Sequence, residues 1–379
     1  MKALVIHPLF ALLGGGEYLC LNVVRALSEQ GYSVSLMSYD YSTEMVRKGF
    51  GLDNENYLSE VFPLPNLYPF GAIRKGFGFP IGLKRVAELR MTRIALTRIC
   101  KSYDVIFHTQ TSLLLVRHPH TFSFFYDPGE VSMVRRRRIN PRVWSPKRVY
   151  HELLNLLVDN EKDVKQAENI PLSLSLQRLL QESSYRHVSV VSPPCDLNFQ
   201  LRRKVERVIQ VSRISPAKRL EEFVQIARQL PEYEFLLVGY CSPEERRLNP
   251  GYFEKIMATS VPNVRIILDR IRNVPELLEE SAVYLYTSHE PGINISTVQA
   301  AAAGCVPVTP AVGGGGEIVR TLQRGYTYSS IGEAVAAIKD SLTNQRWSPM
   351  EMSHAARAFA PERFRERIRS IVKSDFYRS

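Results

Sequence analysis

Apolar positions fall along this chain in short runs of strand length that alternate with stretches of helical spacing. Residues 2–10 are a continuous apolar run, and Leu19, Val23, Val24 and Leu27 recur at helical intervals across residues 16–30. Gly31 stands where a helix ends in a left-handed residue, ahead of a second apolar run over 32–37. Strand, helix, strand is the predicted opening. Residues 104–108 and 121–126 add two short apolar strands, as a parallel sheet covered on both faces requires. An irregular basic loop and a helix are expected over 129–165, then a strand, a helix and a strand at 170–175, 176–181 and 187–191. Ser192-Pro193-Pro194 interrupts the pattern, which places a domain boundary there.

The alternation then restarts. Strands are predicted at 205–211, 234–238, 264–268, 283–287 and 306–309, with helices at 220–229, 274–281 and 295–303 between them. A last helix over 361–373 carries Phe364, Ile368, Ile371 and Val372 on one side, a stripe that calls for packing against a domain. The expected architecture is α/β, with two doubly wound parallel-sheet domains facing a central cleft. The first spans residues 1–192, with the helix at 361–379 free to pack back on it, and the second spans 193–360.

Length and composition fit this picture. A chain of 379 residues suits two domains, and 45% hydrophobic with 23% charged residues is an ordinary globular balance. Five widely spaced cysteines offer no metal-type or redox spacing and read as reduced thiols. The apolar start runs into Gly14-Gly15-Gly16-Glu17 without a cleavage pattern, so a first strand explains it better than a secretion signal. No apolar run approaches the roughly 20 residues that span a bilayer. A cytoplasmic protein is expected.

Charge changes the picture more. Residues 70–150 hold 16 Lys and Arg against 4 Asp and Glu, whereas the whole chain carries a net +11, so the basic character belongs to the first half. Arg74-Lys75, Lys84-Arg85, Arg135 to Arg138, Arg142 and Lys147-Arg148 are interleaved with Phe77, Phe79, Ile81, Val134, Ile139 and Trp144. Mixed basic and apolar side chains suit an anionic membrane surface, reached peripherally at its inner face. Residues 82–101 do not separate into an apolar and a basic helical face. Nucleic acid would attract the same charge, but no recognition motif is present.

Three features of the second domain converge on a diphosphate. Arg213 and Lys218 lie in one short loop after a strand, a fork and a point charge together. Gly313 to Gly316 with Glu317 lies between a strand and a helix, where backbone N–H groups favour anions. Ser288-His289-Glu290-Pro291-Gly292 leads through Asn294 into a helix containing Gln299, and Gly239 closes a neighbouring strand. In the first domain, Gly14-Gly15-Gly16 lacks the dinucleotide fingerprint because position 19 is Leu, and no phosphate-loop motif occurs. Those glycines suit close approach of backbone to a ligand, or a tight turn.

The order Gly14-Gly15-Gly16-Glu17, Pro193-Pro194-x-Asp196, Ser212-Arg213-x-x-x-x-Lys218, Glu290 to Gly304 and Gly313-Gly314-x-x-Glu317 resembles family 4 of the retaining glycosyltransferases. The segment from Gln299 to Val308 looks like that family's Glu-Ala-Met-Ala-x-Gly-x-Pro-Val stretch. The resemblance extends over nearly the whole chain and is greatest to mannosyltransferases of lipid-linked and cell-surface glycan assembly. It implies the GT-B fold, two Rossmann-like domains, and a nucleoside diphosphate sugar as co-substrate, with no cofactor and no required metal. Arg213 and Lys218 would hold the donor diphosphate and steady the leaving group. Gly15, Gly16, Gly239, Gly292, Asn294, Gly315, Gly316 and Glu317 would line the donor. Glu290 matches the first carboxylate of the Glu-x7-Glu motif, toward the transferred sugar, and Gln299 the second, toward the ribose. Here the sequence departs from the family: Gln299 is not a carboxylate, and a strict register would put Pro291 at the first site. Tyr126 and Asp127 stand where the family tends to have an acceptor-side histidine.

The expected activity is transfer of a hexose from the nucleotide sugar to a lipid-linked or glycan acceptor at the membrane surface. The alternative is a degenerate member that binds a sugar nucleotide or glycan without turnover, as a partner or scaffold subunit.

Overall fold

In a computed structural model the described residues are 1–10, 14–64, 83–110, 114–116, 118–125, 161–241, 243–268 and 274–376. Most of the basic stretch 70–150, with Tyr126 and Asp127, lies outside them. The chain forms two units: Met1–Pro194 together with Pro361–Ser379, and Cys195–Ala360.

The first unit runs β1 (Lys2–Ile6), α1 (Gly15–Glu29), β2 (Ser33–Ser38), α2 (Thr43–Phe50), β3 (Glu60–Pro63), α3 (Leu83–Cys100), β4 (Val105–His108), β5 (Thr121–Phe125), α4 (Glu161–Gln166), β6 (Glu168–Pro171) and α5 (Leu174–Glu182). Its sheet has the order β3-β2-β1-β4-β5-β6, with every described pairing parallel. Successive strand residues point to opposite faces, and both faces are covered. Val5, Phe107 and Phe122 meet Leu19, Val23 and Leu27 of α1 on one side. Leu4, Ile6 and Ile106 meet Leu96 and Cys100 of α3 on the other. This two-sided burial is why the strands read as unbroken apolar runs.

The second unit runs β7 (Val205–Arg213), α6 (Leu220–Arg228), β8 (Glu234–Tyr240), α7 (Pro243–Leu248), α8 (Tyr252–Thr259), β9 (Val264–Leu268), α9 (Val274–Glu280), β10 (Ser281–Leu285), α10 (Ile295–Ala302), β11 (Val306–Pro310), α11 (Gly313–Leu322), β12 (Tyr326–Tyr328), α12 (Ile331–Asn344) and α13 (Pro349–Ala356). The sheet order is β12-β11-β10-β7-β8-β9, again parallel throughout the described pairs. Val208, Leu237 and Val283 face α6 and α12, while Ile209, Leu236 and Tyr284 face α9 and α10. A last helix, α14 (Pro361–Phe376), returns to the first unit and lays Phe364, Ile368, Ile371 and Val372 against its core.

Each sheet reverses its strand order once, between β1 and β4 in the first unit and between β7 and β10 in the second. At such a switch point the loops leaving the two central strands diverge to opposite faces and open a crevice at the carboxyl edge.

Several local expectations are corrected. The predicted strand at 187–191 is reduced to one bridge, Asn169 with His187, beyond which Val188 N and Val191 N still donate to the Asn169 and Pro171 carbonyls of β6 at 3.0 Å each. The glycine run 313–316 is the first turn of α11 rather than a loop. Helix α2 went unpredicted although Ser42 caps its start and Gly51, at φ +62°, its end. It is short, and Val46 is its one fully buried side chain.

Candidate functional site

The switch point of the second unit gathers the strand ends that carry the candidate residues. Strand β7 ends at Arg213, and a single 3-10 turn, Pro216–Lys218, follows. Proline at the first position presets the turn, and Arg219 leaves it in a left-handed conformation, φ +50°. Lys218 is thereby directed under the loop that leaves β10, where its Nζ contacts Glu290 Oε2. The lysine side chain is 11% exposed and the glutamate 39%. Lys218 Nζ also lies 5.9 Å from the centre of the Tyr286 ring.

A polar network pins the two loops together. Thr287 donates its hydroxyl to the Lys218 carbonyl at 2.7 Å and lies 3.2 Å from the Gln210 amide oxygen. Ser288 donates to the Ala217 carbonyl at 2.6 Å and accepts from Glu290 N at 3.3 Å. The backbone that presents Lys218 is thus bonded to the backbone that presents Glu290. Gln210 and Thr287 were not anticipated as part of this arrangement, and Ser288 was named only as the start of the segment that carries Glu290. Their signal, small polar side chains at the end of an apolar strand, is weak in sequence because such residues also end ordinary strands.

Arg213 is placed differently. Its side chain is 62% exposed, and Nη1 lies 3.4 Å from Glu245 Oε1, the first helical turn beyond β8. Gly239 pairs in register with Ser212, and a Cβ there would sit 2.5 Å from the Ser212 carbonyl.

The glycines of α11 are explained by protein packing. A Cβ on Gly314 would fall 1.9 Å from the Gly292 carbonyl, and one on Gly316 2.4 Å from that of Ala311. Gly315 would meet Thr309 and Tyr286 at 3.0 Å, and Gly313 has φ +72°. Gly314 N donates to the Glu290 carbonyl at 2.9 Å, so the start of α11 is seated on the Glu290–Gly292 segment. The helix begins without a side-chain cap, which leaves its first-turn dipole directed at the carboxyl edge of the sheet. Glu317 is buried in that helix.

Asn294 is the N-cap of α10, accepting from Thr297 N at 2.8 Å, so its side chain is committed to the helix. Gln299 lies half-buried on α10, with no side-chain hydrogen bond among the described residues. A pocket of about 420 Å³ opens beside the same loops, lined by Arg219, His289, Val312, Tyr328 and Ser330 among others. Among the described residues no group of three or more His, Cys, Asp and Glu is arranged to hold a metal ion.

In the first unit, Gly15 and Gly16 open α1 at the carboxyl edge beside the β1/β4 switch point. A Cβ on Gly16 would meet no described atom within 4 Å, so packing does not demand glycine there. Glu17 closes a capping box, accepting from Gly14 N at 2.8 Å.

Comparison with known proteins supplies the remaining context. The chain has no match among curated proteins. Residues 198–362 match the family model described as Glycosyl transferases group 1. HepE of Anabaena, solved with UDP and glucose, is 16% identical with a TM-score of 0.66, covering 99% of this chain and 100% of that one. Sucrose-phosphate synthase of Thermosynechococcus elongatus is 15% identical with a TM-score of 0.70 over 100% of both chains. The pneumococcal O-GlcNAc transferase GtfA, solved with UDP and GlcNAc, is 13% identical with a TM-score of 0.62 over 99% of each. The chain therefore has the two-sheet α/β fold of the GT-B glycosyltransferases, and its second unit carries the glycosyl transferases group 1 sequence pattern.

Proposed function

We propose that the protein transfers a sugar from a nucleoside diphosphate sugar to an acceptor hydroxyl, with Lys218 and Glu290 at the reacting end of the donor. The observation that carries this reading is the contact between those two side chains, held across the β7/β10 switch point by the Thr287 and Ser288 bridges. It lies inside the segment that matches the glycosyltransferase model. HepE and GtfA, which share the fold, were solved with UDP and a sugar.

The chemistry follows from the charges. As the bond between the sugar's anomeric carbon and the diphosphate breaks, negative charge grows on the departing oxygen. The Lys218 ammonium and the first-turn dipole of α11 are fixed nearby to stabilise it, with no reorganisation at the moment of reaction. Arg213, exposed on its strand end, supplies a planar fork for the same diphosphate. Glu290 is half-exposed and accepts a sugar hydroxyl while keeping the Lys218 amine in place. The acceptor hydroxyl then bonds to the anomeric carbon and passes its proton to the departing diphosphate oxygen, so that a glycoside and a nucleoside diphosphate are released.

The finer reading follows the family resemblance: a hexose transferred with retention to a lipid-linked or glycan acceptor, with the basic residues of 70–150 meeting an anionic membrane surface from the cytoplasmic side. No described helix is long and apolar enough to cross a membrane, so attachment would be peripheral. Gln299, in place of a ribose-binding carboxylate, favours a second reading in which the donor is bound and not turned over.

Calorimetric titration with a panel of nucleoside diphosphate sugars, followed by assay of nucleoside diphosphate release, tests the proposal. Binding with release is expected for one donor. Binding without release, in the presence of lipid-linked and free glycan acceptors, would favour the non-catalytic reading, and no binding at all would remove the donor site.

A further inference from the structure

The first unit has its own polar cluster at the β1/β4 switch point, and the transferase reading leaves it without a task. His7, just beyond β1, is fully buried. Its Nδ1 lies 2.9 Å from Thr109 Oγ1, beyond the end of β4. The threonine hydroxyl donates to the Ile6 carbonyl at 3.3 Å, so the hydrogen of the His7 contact belongs to Nδ1. The opposite nitrogen, Nε2, has no hydrogen-bond partner among the described residues and faces Glu17 Oε1 at 3.9 Å. The second oxygen of that carboxylate, Oε2, accepts from Gly14 N at 2.8 Å. A chain of contacts therefore runs from β4 through the His7 ring and the Glu17 carboxylate to the backbone that opens the Gly14 to Gly16 turn.

We propose that His7 is a positioning residue: as a buried imidazolium it holds the Glu17 carboxylate, and through it the glycine turn at the ligand edge of the first unit. Two further observations agree with this. Burial opposes the charged ring, yet its attraction to Cys20 and Glu17 raises His7 to about 9. Glu17 is displaced below the usual carboxylate range, with burial opposing and the His7 and Gly14 contacts prevailing. Among the described residues the groups around the ring are Glu17 and Cys20 from α1, Thr109 after β4, and the Phe10 ring at 4.5 Å, itself covered by Tyr41 and bonded through its amide to Asp40. Histidine charge, and not only its shape, is thus built into the turn. Since the charged form is retained up to about pH 9, the attachment is intact at neutrality and is lost as pH passes about 9; its contribution to stability is full below the ordinary histidine value near 6.5 and declines between that value and about 9.

That the turn serves a substrate rests on the transferase reading; that His7 holds the turn does not. The test accordingly has two readouts. Amide hydrogen exchange at Gly14 and the pH titration of the His7 ring, followed by NMR, report the contact itself. The apparent KM and kcat for the donor found in the calorimetric panel report its use. In the wild type, Gly14 protection is expected to fall at least tenfold as the His7 ring titrates near pH 9. His7→Gln, which retains a polar side chain without the charge, should show that loss already at pH 7 and a flat profile above it. Glu17→Gln should match it, with the double variant no worse than either single one. A donor KM that rises in His7→Gln, and no longer varies between pH 7 and about 9, is the functional counterpart.

Wild-type protection in His7→Gln, or a His7 ring that titrates at its ordinary value, would overturn the inference. If His7→Gln does not fold, the wild-type titration and exchange profile decide the matter alone. If protection is lost while KM and kcat stay unchanged, the contact stands and the turn's part in catalysis fails. A wild type that binds no nucleotide sugar would sink the transferase reading and leave the exchange test untouched.

Discussion

Lys218 and Glu290 form a pair whose two members stand in different surroundings, and that asymmetry separates their roles. The lysine side chain is 11% exposed and has given up most of its water, whereas the glutamate is 39% exposed and still meets solvent. Removing the lysine leaves a carboxylate that rehydrates, at a cost of about 1 kcal/mol or less. Removing the glutamate leaves a desolvated ammonium without its counter-charge, and that costs about 1–3 kcal/mol. Catalysis orders them the other way if the ammonium meets the leaving group. Lys218→Ala should reduce nucleoside diphosphate release by roughly a hundredfold or more, in line with loss of one preorganised charge stabiliser. Glu290→Ala should be the less stable of the two in urea unfolding. Equal loss of stability and activity in Lys218→Ala would make the lysine a structural residue and remove it from the site.

At the scale of elements, the glycine run of α11 shows how far sequence can be read. Four glycines after a strand signal anion binding and tight packing alike. Coordinates separate the two, because Gly313, Gly314 and Gly316 each lack room for a Cβ against protein backbone. Gly314→Ala should therefore destabilise by about 2–3 kcal/mol, as overpacking does. Gly332, in the first turn of α12 with nothing within 4 Å of a Cβ, is the control, and Gly332→Ala should stabilise by about 0.5–1 kcal/mol. Denaturant titration of both variants checks this, and a neutral Gly314→Ala would mean the Gly292 segment yields freely. The alternating strands and helices were legible because both faces of each sheet are buried, which leaves long apolar runs with clear breaks. Arg213, Lys218 and Glu290 were legible as charges at strand ends. The Gln210, Thr287 and Ser288 bridges were not, since their meaning lies in which backbone carbonyls β7 and β10 bring within reach. His7 was hidden for the same reason: its partners sit 10 and 102 residues away.

At the scale of the whole molecule, the first unit is built from two stretches of chain separated by the entire second unit. Helix α14 is not an appendage to it. Phe364 stacks on Phe124 with ring centroids 6.1 Å apart, Arg365 donates to Asn22 Oδ1 at 3.0 Å, and both Arg365 and Arg369 pair with Glu29. Near the helix end, Asp375 bonds His120 Nδ1 at 2.7 Å and Phe376 stacks on the His120 ring at 4.2 Å. The face it covers is that of α1, whose first turn carries Gly15, Gly16 and Glu17. The core behind the glycine turn is therefore incomplete until α14 has been synthesised and has docked. Truncating both Phe364 and Ile368 to Ala should remove about 2–5 kcal/mol per residue from the first unit. Native-state hydrogen exchange resolves the consequence by unit. Amides of β1, β2 and β4 should lose protection, while those of β7, β8 and β10 keep theirs. Uniform loss across both sheets would mean that the two units unfold as one, and that α14 couples them rather than completing only the first.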